Sequence, residues 1–299
     1  MWLLFQSGFS SCYTLLHMKQ RMLGFIVLGF LLGIVSMPQL SFAASDRIVH
    51  SNSSWRKYTD LVTSRGKFTV QVVAVNLQNP KLRIATLTNT KGDCKDNCPV
   101  APLIKYVQRL QGFAGINGTY FCPADYAACR NQDGSYFWMV YNSIHGTFVN
   151  QTQNKFNHGP LLAFDTENHW HFWREAKDWP GLAGFEAQYD TRLTALISNG
   201  PALVINKQVV VTASELDSKQ RTVKSARSAI ALKGRNIYFL VGSSATVLDM
   251  GAIAAAFNME YAINLDGGGS SALVFDNQYR VGPGRNIPNA IVLTENPVR

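Results

Sequence analysis

The chain has 299 residues, 46% hydrophobic and 16% charged, with 28 Lys and Arg against 19 Asp and Glu for a formal net charge of +9. That length allows one large domain with a substantial core. The net positive charge suits anionic partners, with general solubility as the plain alternative because the charges are scattered with no block of five like charges, which also argues against a nucleic-acid binder.

An apolar run from Leu23 to Met37 follows Lys19 and Arg21 and precedes Ser41-Phe42-Ala43. This is the order of a secretory signal, cleaved after Ala43, with Met18 as an alternative start. The run is shorter than a bilayer span, so a permanent membrane anchor is the lesser alternative. Removing residues 1–43 takes away Lys19 and Arg21 and no acid, lowering the net charge from +9 to +7. The expected organisation is a signal over 1–43, a polar irregular lead-in over 44–65 and one domain over 66–299, secreted or held in the periplasm or cell envelope.

Phe68 to Leu77 and Lys81 to Thr88 alternate around Asn79-Pro80, which predicts a hairpin. Val100 to Leu110 has helical spacing. Phe113 to Ile116 is a short strand, and Cys122 to Asn157 is an irregular excursion rich in Tyr, Asn and Gly. Leu161–Phe164 with Trp170–Trp173 predicts a second hairpin, and Leu193–Ile197 a further strand. Arg227–Leu232 and Ile237–Val241 flank a turn. Thr246 and Asp249 form a capping box ahead of an alanine-rich helix to Phe257. Strands follow at Tyr261–Leu265, Ala272–Phe275 and Ala290–Leu293. The expected class is α+β, a single domain with a mixed sheet and strands outnumbering helices.

Cys94, Cys98, Cys122 and Cys129 remain after maturation, an even count that favours disulfides in an exported chain. Three connectivities are open, and the two local pairs are favoured over a zinc site because the gaps are wrong for a knuckle. Asn52, Asn117 and Asn150 begin glycosylation sequons.

The most informative stretch is Tyr261 to Ser271, an apolar run delivering Asp266 into Gly267-Gly268-Gly269 and then Ser270-Ser271. Glycines there let a ligand approach backbone N–H groups, an anion-binding arrangement; a tight core turn is the plain alternative. Three other segments also run from a strand into a polar residue and glycine: Asn117-Gly118-Thr119-Tyr120-Phe121, Ser198-Asn199-Gly200-Pro201 and Gly284-Arg285-Asn286. Convergence of these strand ends would bring Asn117, Asn199, Asp266 and Arg285 to one pocket. No Walker lysine, dinucleotide fingerprint, metalloprotease helix or serine-hydrolase elbow competes.

In order and spacing these segments, with Arg227-Ser228-Ala229 and Arg285 to Asn289, resemble the phosphodiester glycosidase family over Phe68 to Thr294. The resemblance implies a hydrolase that separates a sugar such as N-acetylglucosamine from a phosphodiester, with bacterial relatives tied to exopolysaccharide. It implies a sugar-phosphate or polysaccharide substrate and no nucleic acid. Asp266 is then the carboxylate at the anomeric carbon, Arg227 and Arg285 the phosphate forks, and His145 a candidate acid or base, ahead of His158, His169 and His171. Asn117 and Asn199 would hold sugar hydroxyls, with Gly118, Gly200, Gly267, Gly268, Gly269, Ser270 and Ser271 completing the substrate site. Tyr136, Phe137, Trp138 and Tyr141 would supply a stacking wall, at least half of them being core instead. No cofactor is required, though a calcium or magnesium ion near Asp266 stays open. Val241-Gly242 stands where family members often carry Asp-Gly. That departure motivates a rival reading, a non-catalytic phosphoglycan-binding envelope protein; a scaffold for polysaccharide assembly is the third.

Overall fold

Strands buried on both faces explain the long apolar runs of this chain, because each sheet faces a shared core on one side and a helix on the other. The computed structural model describes residues 52–152 and 159–298. The signal expected over 1–43, its cleavage site and His158 lie outside the described residues.

The first sheet is β1 (Ser53–Thr63), β2 (Gly66–Asn76), β13 (Asn236–Ala245), β12 (Ser225–Lys233), β14 (Tyr261–Gly267), β10 (Ala202–Ile205) and β11 (Gln208–Val209), in that order. The second is β16 (Gln278–Val281), β15 (Leu273–Phe275), β4 (Ala114–Asn117), β17 (Asn289–Thr294) and β3 (Arg83–Thr88). The third is β6 (Thr147–Val149), β5 (Val140–Asn142), β9 (Leu193–Ser198), β7 (Leu161–Asp165) and β8 (Trp170–Trp173).

Alternate residues of each sheet enter one central cluster. Val73, Phe239, Ile230 and Leu265 come from the first sheet, Ile116 and Ile291 from the second, and Phe164 and Ile197 from the third. The opposite faces are each covered by a helix. Ala229, Ala231 and Leu240 pack with Met250 and Ile253 of α4 (Val247–Ala256). Leu87 and Val292 pack on Leu103, Tyr106 and Val107 of α1 (Leu103–Arg109). Leu161 and Leu196 pack on Phe185 of α2 (Gly181–Tyr189). The capping box of α4 is present: Thr246 Oγ1 accepts from the Asp249 N–H, and the Asp249 carboxylate accepts from the Thr246 N–H.

Several expectations are corrected. The fold is sheet-rich, and among the described residues every strand pairing is antiparallel, so the mixed sheet of an α+β fold is not what forms. Phe68–Leu77 and Lys81–Thr88 do not pair with each other. β2 pairs with β1 and β13, whereas β3 pairs with β17 in another sheet. The irregular lead-in is instead the edge strand β1 over residues 53–63. Within the excursion after Cys122, β5 and β6 form a hairpin. The helix, the Leu161–Trp173 hairpin and the C-terminal strands lie where the sequence puts them. Cys94–Cys98 and Cys122–Cys129 are disulfides, the local connectivity.

Candidate active site

β14 crosses the central core as Ile263-Asn264-Leu265 and ends at Gly267, next to the ends of β4 and β9. The four glycine-terminated segments do converge there. The Asn117 side-chain amide donates to the Asp266 main-chain carbonyl at 2.8 Å, and the Asp266 N–H donates to the Gly118 carbonyl at 2.9 Å. Asn199 Nδ2 donates to the Asn264 carbonyl at 2.7 Å, and the Arg285 N–H donates to the Gly269 carbonyl at 2.7 Å.

The two asparagines are corrected from ligand contacts to framework. Both are fully buried, and their side-chain amides are occupied within the protein. Asn117 Oδ1 accepts from Ser228 Oγ at 2.8 Å and from the Ala272 N–H at 3.1 Å. Asn199 Oδ1 accepts from the Tyr120 N–H at 3.0 Å. Gly118 is equally structural, since a Cβ there would lie 1.9 Å from Asn289 Oδ1.

The triple glycine serves the two arginines. A Cβ on Gly267 would stand 2.9 Å from Arg227 Nη1, and one on Gly269 would stand 3.0 Å from Arg285 Nη2. Only glycine lets both guanidinium groups lie so close to the main chain. Residues 268–270 form one 3-10 turn between them. Arg227 is buried and held by three carbonyls: Nε donates to Ala245 at 3.3 Å, and Nη2 to Val223 at 2.9 Å and Lys219 at 3.1 Å. Its Nη1 makes none of these bonds. Arg285 is half-buried, donates to Asp125 Oδ2 at 3.0 Å and lies 5.1 Å from the centre of the Tyr126 ring.

Asp266 sits between them. Burial pushes its carboxyl up to about 7, against the opposing pull of the Ser270 hydroxyl, the Gly267 N–H, Arg285 and Arg227. Ser270 is therefore a partner of the acid, fully buried beside it. The Ser271 Oγ is buried without a hydrogen bond to protein.

Sequence reasoning missed Tyr120, Asn264 and Gln220. Asn264 Nδ2 donates to the Tyr120 hydroxyl at 2.6 Å. Burial, and then the charge of Asp266, push the Tyr120 phenol up to about 12, while hydrogen bonds from Gln220 and Asn264 pull the other way. Tyr120 thus stays a neutral hydroxyl beside the acid. An asparagine inside the apolar run Ile263-Asn264-Leu265 was the available signal. Gln220 belongs to the short α3 (Ser218–Thr222), whose Lys219 lies 4.6 Å from the Tyr126 ring centre, so the α3 segment and the Cys122–Cys129 loop meet on that ring.

Clefts of about 610 and 560 Å³ border this centre. The first is lined by Trp138, Arg174, Gly200 and Gln220, the second by Tyr120, Phe121, Tyr136 and Phe137. Asp266 lines neither; Tyr120, whose phenol feels the charge of Asp266, lines the second cleft, and Gln220, which hydrogen-bonds Tyr120, lines the first. Phe137 and Trp138 stack at 5.2 Å between the clefts and form the surviving part of the aromatic wall. Tyr136 is buried, and Tyr141 packs on Phe148.

His145 is a further correction. It is exposed in the β5–β6 turn, and β5 leaves the Asn199 end at Val140, paired with Ile197, running away from it. His169 and His171 gather on Asp165, near the start of β9 and at the far end of that sheet. Among the described residues no three His, Cys, Asp or Glu side chains gather as a metal cluster. Around Asp266 the neighbours are hydroxyls and two guanidinium groups, a set that suits an anion and not a divalent cation.

A family model described as phosphodiester glycosidase matches residues 114–294. A hypothetical protein from Synechocystis is similar in structure, with a TM-score of 0.63 and 15% identity over 84% of this chain and 63% of that one. The chain thus spans less than two thirds of that relative. The catalytic domain of zebrafish N-acetylglucosamine-1-phosphodiester alpha-N-acetylglucosaminidase, auto-inhibited by its pro-peptide, gives a TM-score of 0.58 and 14% identity over 84% and 87% of the two chains. At these identities the likenesses bear on the fold. No curated protein matches in sequence.

Proposed function

The chain belongs to the phosphodiester glycosidase family, a family of glycosidase-type hydrolases, and from that premise we propose an exported hydrolase of sugar-1-phosphodiesters. Its substrate would be an N-acetylglucosamine-like sugar joined through the anomeric carbon to a phosphodiester of an envelope or extracellular glycan. One arrangement carries the reading: a buried carboxyl at the end of β14 has two guanidinium groups beside it, Arg227 packed against Gly267 and Arg285 against Gly269.

Each part has a chemical task. The departing phosphate is a weak base, so it needs neutralisation of charge more than a proton. Arg227 and Arg285 would supply that on either side of the Gly267–Gly269 turn. Cleavage leaves positive charge on the sugar ring, and the ionised Asp266 would stabilise it, attack the anomeric carbon or take a proton from water. The Tyr120 hydroxyl, neutral beside the acid, would orient a sugar hydroxyl or that water. Phe137 and Trp138 offer ring faces to the saccharide.

The rival, a binding protein without turnover, rests on Val241 in place of the family acid. Val241 is fully buried within the central core, so an acid there would face apolar neighbours and the loss of one does not by itself remove a group from the pocket. Sugar release from a synthetic N-acetylglucosamine-1-phosphodiester tests the proposal, with Asp266→Asn run alongside. The expectation is release by the native chain and none by the variant, with ligand binding retained. Binding without release by the native chain would favour the rival.

A further inference from the structure

Beyond Arg227, the same end of the first sheet carries a second cationic cleft. It has a volume of about 370 Å³ and is lined by Arg65, Lys67 and Lys224 with the hydroxyls of Ser243, Ser244 and Thr69. Among the described residues no acidic side chain lines it. Arg65 is fixed by its 2.7 Å ion pair with Asp249 at the start of α4, while Lys67 and Lys224 are exposed and pair with no carboxylate among the described residues. A bulge makes the hydroxyl edge. Ser225 pairs with Ala245 and Arg227 with Gly242, which turns Ser243 and Ser244 out of the ladder into solvent.

Register places this cleft in line with Asp266. Gly267 pairs with Arg227 on β12, Arg227 with Gly242 on β13, and Gly242 with Val70 on β2. The turn between β1 and β2, with Arg65, is therefore at the same sheet end as the acid. From β14 to β2 is three strand spacings, about 14 Å. Arg227 lies between the acid and the cleft, with Lys224 three residues before it in sequence.

We propose that this cleft is a phosphate subsite for a neighbouring phosphodiester, so that the substrate is a polymer of sugar phosphates laid across the strand ends. Unpaired lysines beside hydroxyls suit a repeating anion: each lysine is a point charge, and the serines are neutral donors. The polymer assignment rests on the hydrolase reading. The anion-binding assignment stands apart from it.

Calorimetric titration with inorganic polyphosphate tests the cleft without requiring turnover. Lys67→Gln/Lys224→Gln should weaken binding about tenfold or more and flatten its salt dependence. Lys81→Gln/Lys105→Gln, which removes the same charge from exposed lysines elsewhere, should leave binding unchanged. Equal affinity in the first variant and the native chain overturns the proposal, as does an equal loss in the second variant, which would reflect net charge alone. Capture of anionic phospholipid vesicles with no affinity for polyphosphate also overturns it and gives the cleft to a membrane surface. In kinetics, Lys67→Gln/Lys224→Gln should raise KM about fivefold or more for a chain of sugar-1-phosphodiesters and leave a single methyl diester unaffected. If no diester is cleaved, the hydrolase reading fails, and the calorimetry still decides the cleft.

Discussion

The side-chain amide of Asn117, at the end of a strand in one sheet, donates at 2.8 Å to the main-chain carbonyl of Asp266, at the end of a strand in another. The position of the acid is thus fixed by a residue that is itself fully buried. Asn117→Ala removes this bond and also strands the Ser228 hydroxyl and the Ala272 N–H, whose acceptor is Asn117 Oδ1. Unpaired buried groups of this kind cost about 1–3 kcal/mol each, and relaxation recovers part of it, so a net loss of about 2–4 kcal/mol is expected. Urea unfolding measures it. A native midpoint would mean that the amide is replaceable.

Gly267→Ala tests the contact between the glycine turn and Arg227. The new Cβ would stand 2.9 Å from Nη1 and 3.0 Å from Cδ of a guanidinium held by three carbonyls, so the arginine must move. Overpacking costs about 1–3 kcal/mol. kcat/KM for a phosphodiester should fall by about tenfold or more through loss of phosphate alignment. Gly92→Ala is the control, with nothing within 4 Å of the added carbon. Full activity in Gly267→Ala would remove Arg227 from the phosphate.

Asp266 and Arg285 stand out in the sequence because glycine beside charge is a local signal, whereas Arg227, flanked by Ala226 and Ser228, stands out only through the family resemblance. Asn117 and Asn199 were legible as members of the site and misread in role, since their partners lie up to 155 residues away. The same distance problem undid the hairpin at Asn79-Pro80: the turn is local, but β2 finds its second partner in β13. β1 was read as irregular because an edge strand half in solvent lacks the apolar alternation of a buried one. Tyr120 lies inside the Asn117-Gly118 motif, but its effect depends on Asn264 and Asp266, distant in sequence, so no local signal marks it.

The Cys122–Cys129 disulfide closes the loop that brings Tyr126 beneath Arg285 and Lys219. A double Cys→Ser variant should lose about 2–3 kcal/mol of stability, from the chain entropy of a short loop. Its kinetic effect should be a several-fold fall in kcat/KM, because Tyr126 packs against the Arg285 guanidinium, which neutralises the departing phosphate in the proposed mechanism. Thermal unfolding and steady-state kinetics separate the two effects. A loss of stability with kcat/KM unchanged would contradict this placement.

Stability and activity should depend on pH in opposite directions through Asp266. Burial lifts its carboxyl from the ordinary 3.8 to about 7, so the native chain keeps the proton to a higher pH than the unfolded chain does. The stabilisation from that proton is complete below about pH 4 and is lost as pH rises through 7. Asp266→Asn has no such titration. Its stability relative to the native chain should therefore rise between pH 4 and 8, by on the order of 4 kcal/mol at most. Turnover requires the ionised carboxylate in the proposed mechanism, so kcat/KM should climb with pH around 7 in the native chain and stay negligible in the variant. Chemical denaturation of both proteins at pH 4, 6 and 8, paired with rate measurements on the native chain, reads both trends. A variant no more stable at pH 8 than at pH 4, relative to the native chain, would mean that Asp266 is already ionised at low pH, and kcat/KM should then show no rise around pH 7.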